Sequence, residues 1–343
     1  MAVKSLNDAV AMQDIARRAG VCKATVSRAL NNPQRVSAKT RDKVLEVVAE
    51  LGYTPNKLAS SLRQGRSKHI AVMLPDITNP YFAPVVRSIE QTAMRRGYSV
   101  ILNDTQDNPD LERTFAAMVH TRQVDGIITN SARIPFDLAS VGGDVRRLPP
   151  IVNASEFCDL PEIIKVGVNN YQIGKQATEH LLNLGHTRIA ALAGPGGLDS
   201  SDQRMRGFTD ALQQQQLTVN TNWVYHGDYS MASGDLGARA LMQWRERPTA
   251  IFCFGDLAAF GALHALRELG YQVPQDISVI SVDGIALGEY TSPPLTTVAQ
   301  PLEQIGSTAA TLLIDLIEGE RPPSNENVLA HRLIIRKSTG KPA

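Results

Sequence analysis

The 343-residue chain, with 43% hydrophobic and 20% charged side chains, is long enough for two or three domains around a substantial core. No uncharged apolar run approaches the roughly 18–20 residues that cross a bilayer, and the opening MAVKSLNDAV carries no apolar signal region, so membrane-spanning and secreted classes are set aside. Cys22, Cys158 and Cys253 stand far apart without metal-ligand spacing and read as free thiols in a reducing compartment, so a cytoplasmic location is expected.

The formal net charge of +1 conceals an asymmetry. Residues 1–68 hold 13 Lys and Arg against 5 Asp and Glu, a balance of +8, and the remainder holds 22 against 29, a balance of −7. A basic head on an acidic body points to a polyanionic partner for the head alone. A charge run by itself is better explained as a solvated surface, so the placement of the charges has to decide.

Met12, Ile15, Ala16 and Ala19 fall at i, i+3, i+4 and i+7, one apolar face of a short helix that Gly20 stops. Val21 leads into a second helix with Val26, Ala29 and Leu30 inward and Lys23, Ala24, Ser27, Arg28 and Asn31 on the opposite face. Two short helices joined by a Gly-containing turn form the helix-turn-helix pattern. Ser37 is the expected N-cap of a third helix, Val44, Leu45, Val48 and Leu51 its core stripe, and Gly52 its end. Periodicity alone fits an ordinary three-helix bundle equally well.

The stretch MQDIARRAGVCKATVSRALNN at residues 12–32, then VSAKTRDKV and LGYTPNKLASSL, resembles the DNA-binding head of the LacI/GalR family of transcription regulators. The family's A-T-V-S-R-x-L-N recognition helix matches Ala24 to Asn31, and the likeness runs without gaps through residue 62. The resemblance implies base reading by Lys23, Ala24 and Arg28, with Arg28 able to fork onto a guanine and Ala24 to pack on a thymine methyl. It implies phosphate contacts from Thr25, Ser27, Asn31, Ser37 and Thr40. Cys22 stands where the family usually has a capping Ser or Thr; a thiol accepts weakly, so a looser first turn is expected, at about 1 kcal/mol. Lys23 is also atypical at its position, which bears on the operator sequence rather than on binding.

Next comes TPNKLASSLRQGRSK, with a Thr54-Pro55 helix start and a Gly65 stop. A helix so short is unstable alone in water, so this segment is expected to order on binding. By resemblance it is a hinge helix that pairs with its dimer mate and wedges Leu62 into the minor groove, flanked by Lys57, Ala59 and Arg63. Ser60 replaces an Arg that many relatives carry.

From residue 69 apolar runs alternate with helix-length segments: HIAVMLP, YSVILND, DGIITNS, PIVNAS, TRIAALAG, WVYHGD, TAIFCFGD and ISVISVDG. Such alternation predicts parallel sheets with helices on both faces, and about 270 residues predict two subdomains and a cleft. KVGVNN and LTTVAQP are expected as crossovers. Asp76, Ser131, Asp256 and Asp283 each follow an apolar strand, at the strand ends where such sheets bind ligands.

The body resembles the effector-binding half of the same family, with periplasmic-binding-protein-like architecture, through NPYFAPVVRSIE, VDGIITNS, LGHTRIAALAGP, RMRGF, GDLAAFGAL, VPQDISVISVDG and PPLTTVAQP. That resemblance implies an effector site lined by Asp76, Tyr81, Phe82 and Ser131 from one subdomain and Leu198, Ser200, Arg204, Tyr229, Asp256 and Asp283 from the other. Phe82 and Tyr229 would sandwich a planar base, and Arg204 and Asp283 would bind hydroxyls. Asn169 stands where V-D-N is usual. Leu198 replaces an Arg that purine-binding relatives use, which argues against a charged purine-type ligand. LPPIVNASEF, GDYSMASG and SPPLTTVAQP are most similar to the cytidine-repressor branch, which implies a nucleoside effector; a sugar or a purine is the alternative.

The expected fold class is thus α/β: an N-terminal helix-turn-helix three-helix head plus hinge helix, then a two-subdomain body with parallel sheets. The expected divisions are a flexible tail at 1–11, the DNA-binding domain at 12–53, hinge and linker at 54–68, and the effector-binding and dimerisation domain at 69–343. Within the last, one subdomain takes about 69–168 and 300–329 and the other about 169–299 and 330–343. No Walker loop, G-x-S-x-G or H-E-x-x-H occurs, so an enzyme acting on a nucleoside or sugar is the weaker reading. The glycine-rich LAGPGGLD lacks G-x-G-x-x-G spacing and is explained by a tight turn, and His186 by a structural hydrogen bond. A solute-binding protein would lack the basic head, and an architectural nucleoid protein would lack the body. The reading that uses both halves is a sequence-specific repressor controlled by a small molecule. Its expected partners are double-stranded operator DNA, a small-molecule effector, a second copy of the chain and a second transcription factor at the promoter, with no membrane, metal or cofactor.

Overall fold

Residues 10–53 and 65–342 are described by the computed structural model, apart from the Asn31 side chain, and they belong to two units divided between Gly65 and Arg66. The tail through residue 9 and the hinge positions Lys57, Ala59, Leu62 and Arg63 lie outside the described residues.

The first unit folds around three helices, α1 (Met12–Ala19), α2 (Lys23–Asn31) and α3 (Ala38–Leu51). Ile15, Ala16 and Ala19 meet Val26, Ala29, Val44 and Val47 in one small core. Gly20 ends α1 at φ 63°, a left-handed conformation that costs a Cβ-bearing residue and lets the chain turn at once into α2. Ser37 Oγ accepts the Thr40 N–H at 3.4 Å and so caps α3. The α3 stripe differs from expectation by one residue. Val44, Val47, Val48 and Leu51 form the i, i+3, i+4, i+7 series, and Leu45, rotated about 100° off that face, is 45% exposed.

The second unit holds two six-stranded sheets. In the first, β1 (His69–Leu74), β2 (Ser99–Asp104), β3 (Ile127–Thr129), β4 (Ile151–Ala154), β5 (Ile164–Val168) and β11 (Glu326–Leu329) run parallel in the order β11-β5-β4-β3-β1-β2. In the second, β6 (Ile189–Ala193), β7 (Val224–His226), β8 (Ala250–Cys253), β9 (Ser278–Asp283), β10 (Thr296–Ala299) and β12 (Arg332–Ile334) lie in the order β12-β10-β9-β8-β6-β7. Only β12 is antiparallel there, against β10.

The inner strands of each sheet are buried on both faces, which is why they read as continuous apolar runs, while the edge strands β2, β7, β11 and β12 are partly exposed. Ile70, Val72 and Leu74 of β1 point to the face covered by α4 (Phe82–Arg95) and α10 (Leu302–Glu318), while Ala71 and Met73 face α5 (Pro109–His120). In the second lobe Ala191 and Ala193 face α6 (Asn170–Asn183) and α7 (Asp199–Gln214). Ala190 and Leu192 face α8 (Met231–Met242) and α9 (Asp256–Glu268).

The chain passes between lobes after β5, after β10 and between β11 and β12. KVGVNN and LTTVAQP, expected as crossovers, are therefore full sheet members whose last residues lead into the crossing. Asn169 starts α6 at the first crossing, its Oδ1 accepting the Gln172 N–H at 2.9 Å. His186 is buried and hydrogen-bonds Thr249, Ser278 and the Gly340 carbonyl, pinning the C-terminal segment to the second sheet.

Candidate functional sites: a recognition helix and an interlobe cleft

Within the first unit some basic side chains are ion-paired, while Arg35, Lys39, Lys43 and two cations of α2 form no ion pair with a described carboxylate. Arg17 pairs with Asp14 at 3.5 Å, Arg18 with Glu50 of α3, and Arg41 with Asp42 at 3.3 Å. Lys23 and Arg28 of α2 are exposed, and no ion pair ties either to a described carboxylate. Ala24 is exposed beside them, so α2 presents a small residue between two cations that remain available to an outside anion. Thr25 and Ser27 are partly buried on the flanks of that face, and Ser37 and Thr40 sit at the start of α3, their hydroxyls 2.9 Å apart. The Asn31 side chain lies outside the described residues. Cys22 occupies the N-cap position of α2 without a side-chain cap bond; its thiol lies 3.2 Å from Thr25 Oγ1, and that hydroxyl lowers its pKa.

In the second unit the strand ends of the two lobes enclose a cleft of about 370 Å³. That volume suits a small organic ligand. Asp76, Tyr81, Phe82 and Ser131 line it from the first lobe. Leu198, Ser200, Arg204, Tyr229 and Asp283 line it from the second. Phe82 meets Tyr81 edge to face, with ring centroids 5.0 Å apart. Tyr81 Oη lies 3.0 Å from Ser155 Oγ and 3.3 Å from Gln300 Oε1, and burial, then the Asp283 carboxylate, raises its pKa, so the phenol stays protonated. Gln300 Nε2 in turn donates to Asp283 Oδ1 at 2.8 Å. Asp76 is exposed at the rim, where Oδ1 accepts from the Thr78 N–H and hydroxyl.

Arg204 is buried, with Nε donating to Asn170 Oδ1 at 2.9 Å and Nη1 to the Phe254 carbonyl. Its guanidinium is thereby fixed, and its positive charge acts on the Asp283 and Glu156 carboxyls, opposing the rise of their pKa values. Asp283 sits at φ 121°, a conformation that costs a residue with a side chain about 1–3 kcal/mol. There its Oδ2 accepts the Asp256 N–H at 3.2 Å, at the first turn of α9. Burial and the neighbouring Asp256 charge push the Asp283 carboxyl up.

Asp256 does not belong to the cleft. It is fully buried, and its carboxylate accepts from Ser281 Oγ at 2.5 Å, Thr297 Oγ1 at 2.9 Å and the Ile285 N–H at 2.7 Å. It begins α9 and turns inward between strand ends, so its position after a strand reflects internal scaffolding.

Several lining residues were not anticipated. Glu156, two residues past β4, sends its carboxylate to the opposite lobe, where Oε1 accepts the Ser200 N–H at 3.0 Å. Arg133 is held by Glu112 at 2.9 Å and by Asp107, so its charge is internally compensated. Gln300, one residue past β10, follows the same strand-end logic that singled out Asp283.

Residues 11–56 match the family described as bacterial regulatory proteins, lacI family, and residues 178–339 match a periplasmic binding protein-like domain. The chain is 37% identical over 339 residues to the HTH-type transcriptional repressor CytR of Escherichia coli (strain K12), covering 99% of each protein. It is 34% identical to the HTH-type transcriptional repressor PurR of Photobacterium profundum, covering 95% of this chain and 98% of the relative. A crystal structure of the lac repressor dimer bound to operator and the anti-inducer ONPF superposes with a TM-score of 0.87 at 30% identity, covering 97% of this chain and 100% of that one. Full-length identity to repressors, an exposed cationic helix and a two-lobed cleft converge: the chain belongs to the lacI family of bacterial regulatory proteins, and it is a DNA-binding transcriptional repressor, not an enzyme.

Proposed function

We propose that the chain represses transcription as a homodimer on operator DNA, and that an uncharged nucleoside such as cytidine in the interlobe cleft controls its operator affinity. The observation that carries the DNA half is the pair of unneutralised cations, Lys23 and Arg28, on the exposed face of α2. Lys23, Ala24 and Arg28 read bases, and Thr25, Ser27, Asn31, Ser37 and Thr40 engage phosphates. The dimer follows the lac repressor, whose crystal structure is a dimer on its operator.

For the effector, the support is the mixed lining. Phe82 and Tyr229 offer aromatic surface for a base, while Arg204, Asp283 and Ser200 offer a donor and acceptors suited to ribose hydroxyls. Leu198 adds apolar surface where an extra cation would favour a charged ligand. A sugar would use the same polar groups but not the aromatic surface. The hinge, with Leu62 as minor-groove wedge beside Lys57, Ala59 and Arg63, carries the signal between cleft and head. A second transcription factor at the promoter is a further partner.

Calorimetric titration of a nucleoside, base and sugar panel, with and without operator duplex, tests the reading. Nucleosides should bind, and operator should change their affinity by about 5–150-fold, with the reciprocal change in operator affinity. Tight binding of a sugar alone would replace the nucleoside. Equal affinities with and without operator would remove the regulatory role of the cleft.

A further inference from the structure

The strand β4 ends at Ala154, and Ser155 then adopts φ 67°, an uncommon conformation for a residue with a side chain. Strain of this kind persists where the surroundings enforce it, and here it is followed by a side chain that leaves its own lobe. Ser155 is held in place by its N–H to the Val166 carbonyl at 2.8 Å and by Tyr81 Oη. Glu156 then reaches across to the first turn of α7.

That helix lacks a cap of its own. Its N-cap residue is Leu198, which has no acceptor, so the first-turn N–H groups have no partner from the N-cap side chain. Glu156 Oε1 supplies the missing acceptor from the opposite lobe, 3.0 Å from the Ser200 nitrogen. The contact joins a carboxylate to the positive end of a helix dipole, a charge-assisted arrangement. The α9 N-terminus, also at the cleft, is likewise occupied, by Asp283 Oδ2 on the Asp256 N–H. Helix N-termini are the usual binding places for phosphate and carboxylate groups. Both of these hold carboxylates that the protein itself provides. The cations offer no substitute: Arg133 is taken by Glu112 and Asp107, and Arg204 is held by Asn170 and the Phe254 carbonyl beside the Glu156 and Asp283 charges.

We propose that Glu156 is a latch between the lobes, capping α7 from the opposite side of the cleft, and that its carboxylate selects against anionic effectors. A ligand phosphate directed at α7 would have to displace Glu156 and then lie beside it. An uncharged ligand leaves the latch in place. This selection rests on the cleft being the effector site; the latch itself does not.

Two measurements on the full-length protein separate these parts. Hydrogen exchange of the ligand-free protein reads the latch. In Glu156→Ala the segment 196–203 should exchange faster by about tenfold, whereas Glu156→Gln, which keeps an acceptor, should change it less. Equal exchange in wild type and Glu156→Ala overturns the latch. Calorimetry with cytidine and cytidine 5′-monophosphate reads the selection. Wild type should favour the nucleoside, and Glu156→Gln should narrow the ratio of the two affinities by about tenfold or more. A protein that binds cytidine with the same ratio in both forms overturns the selection. If wild type binds neither compound, the nucleoside reading of the cleft fails and takes the proposed selection with it, while the exchange measurement still decides the latch.

Discussion

The ring of Tyr229 lies against the backbone of Gly194: a Cβ on Gly194 would come within 2.1 Å of Tyr229 Cζ. Gly194 follows β6 directly, and Tyr229, at φ 67°, follows β7, so two neighbouring strand ends form one wall of the cleft. Ser200 Oγ lies 3.3 Å from the Tyr229 hydroxyl and holds the far end of the ring. Gly194→Ala should displace the ring, cost about 1–3 kcal/mol of stability and weaken effector binding. Urea denaturation and calorimetry check the two effects. Unchanged effector affinity would remove Tyr229 from the binding wall.

Arg28 is the exposed cation of α2 most suited to a two-pronged contact. Arg28→Ala should lower operator affinity by about 1–3 kcal/mol and relax the preference at one base pair. Lys23→Ala should act at a different base pair. Fluorescence anisotropy against a panel of single-base operator variants reads both. Equal wild-type and Arg28→Ala affinity across the panel would exclude base reading by this residue.

The buried Asp256 carboxylate gathers donors from Ser281, Thr297 and Ile285, tying β9 and β10 to the start of α9. Asp256→Ala removes the acceptor the three share, leaving Ser281 only the Thr296 carbonyl at 3.5 Å, and the expected loss is about 3 kcal/mol in chemical denaturation. Destabilisation under about 1 kcal/mol would mean the donors find other partners. Direct ligand contact is not expected of Asp256, so the folded variant should retain effector binding.

Burial raises the pKa values of both Asp256 and Asp283, and the Asp256 charge raises that of Asp283 further. The native protein therefore holds more protons than the unfolded chain as pH rises above the unfolded Asp value of about 4. Their contribution to stability is complete below that value and is lost as pH climbs through the raised native values. Denaturation midpoints should fall as pH rises from about 4 to about 7, and Asp283→Asn should flatten that dependence. An equal slope in wild type and Asp283→Asn would place its origin elsewhere.

Most of the architecture is readable from the alternation of apolar runs, because strands buried on both faces show it without side-chain detail. The same signal separates crossing from strand poorly: KVGVNN and LTTVAQP are short, and each is a sheet member that also leads the chain across. On α3 two adjacent apolar residues, Leu45 and Val44, compete for one stripe, and packing against Ile15 and Val26 selects the series that includes Val47. At the cleft, an acidic residue after a strand marks Asp283 and Asp256 alike, yet one lines the cleft and the other faces the core. Glu156 escapes the rule because its direction depends on the Ser155 backbone, and a dihedral angle leaves no mark in a serine codon.

Three passages of the chain between lobes mean that neither lobe corresponds to a continuous stretch of gene. A single exchanged segment cannot import an intact lobe: residues 69–168 carry five strands of the first sheet without β11, and residues 189–299 carry five of the second without β12. The DNA-reading head, continuous and confined to the beginning of the chain, is under no such restriction. It can be exchanged whole, so the gene controlled and the molecule sensed are free to change at different rates.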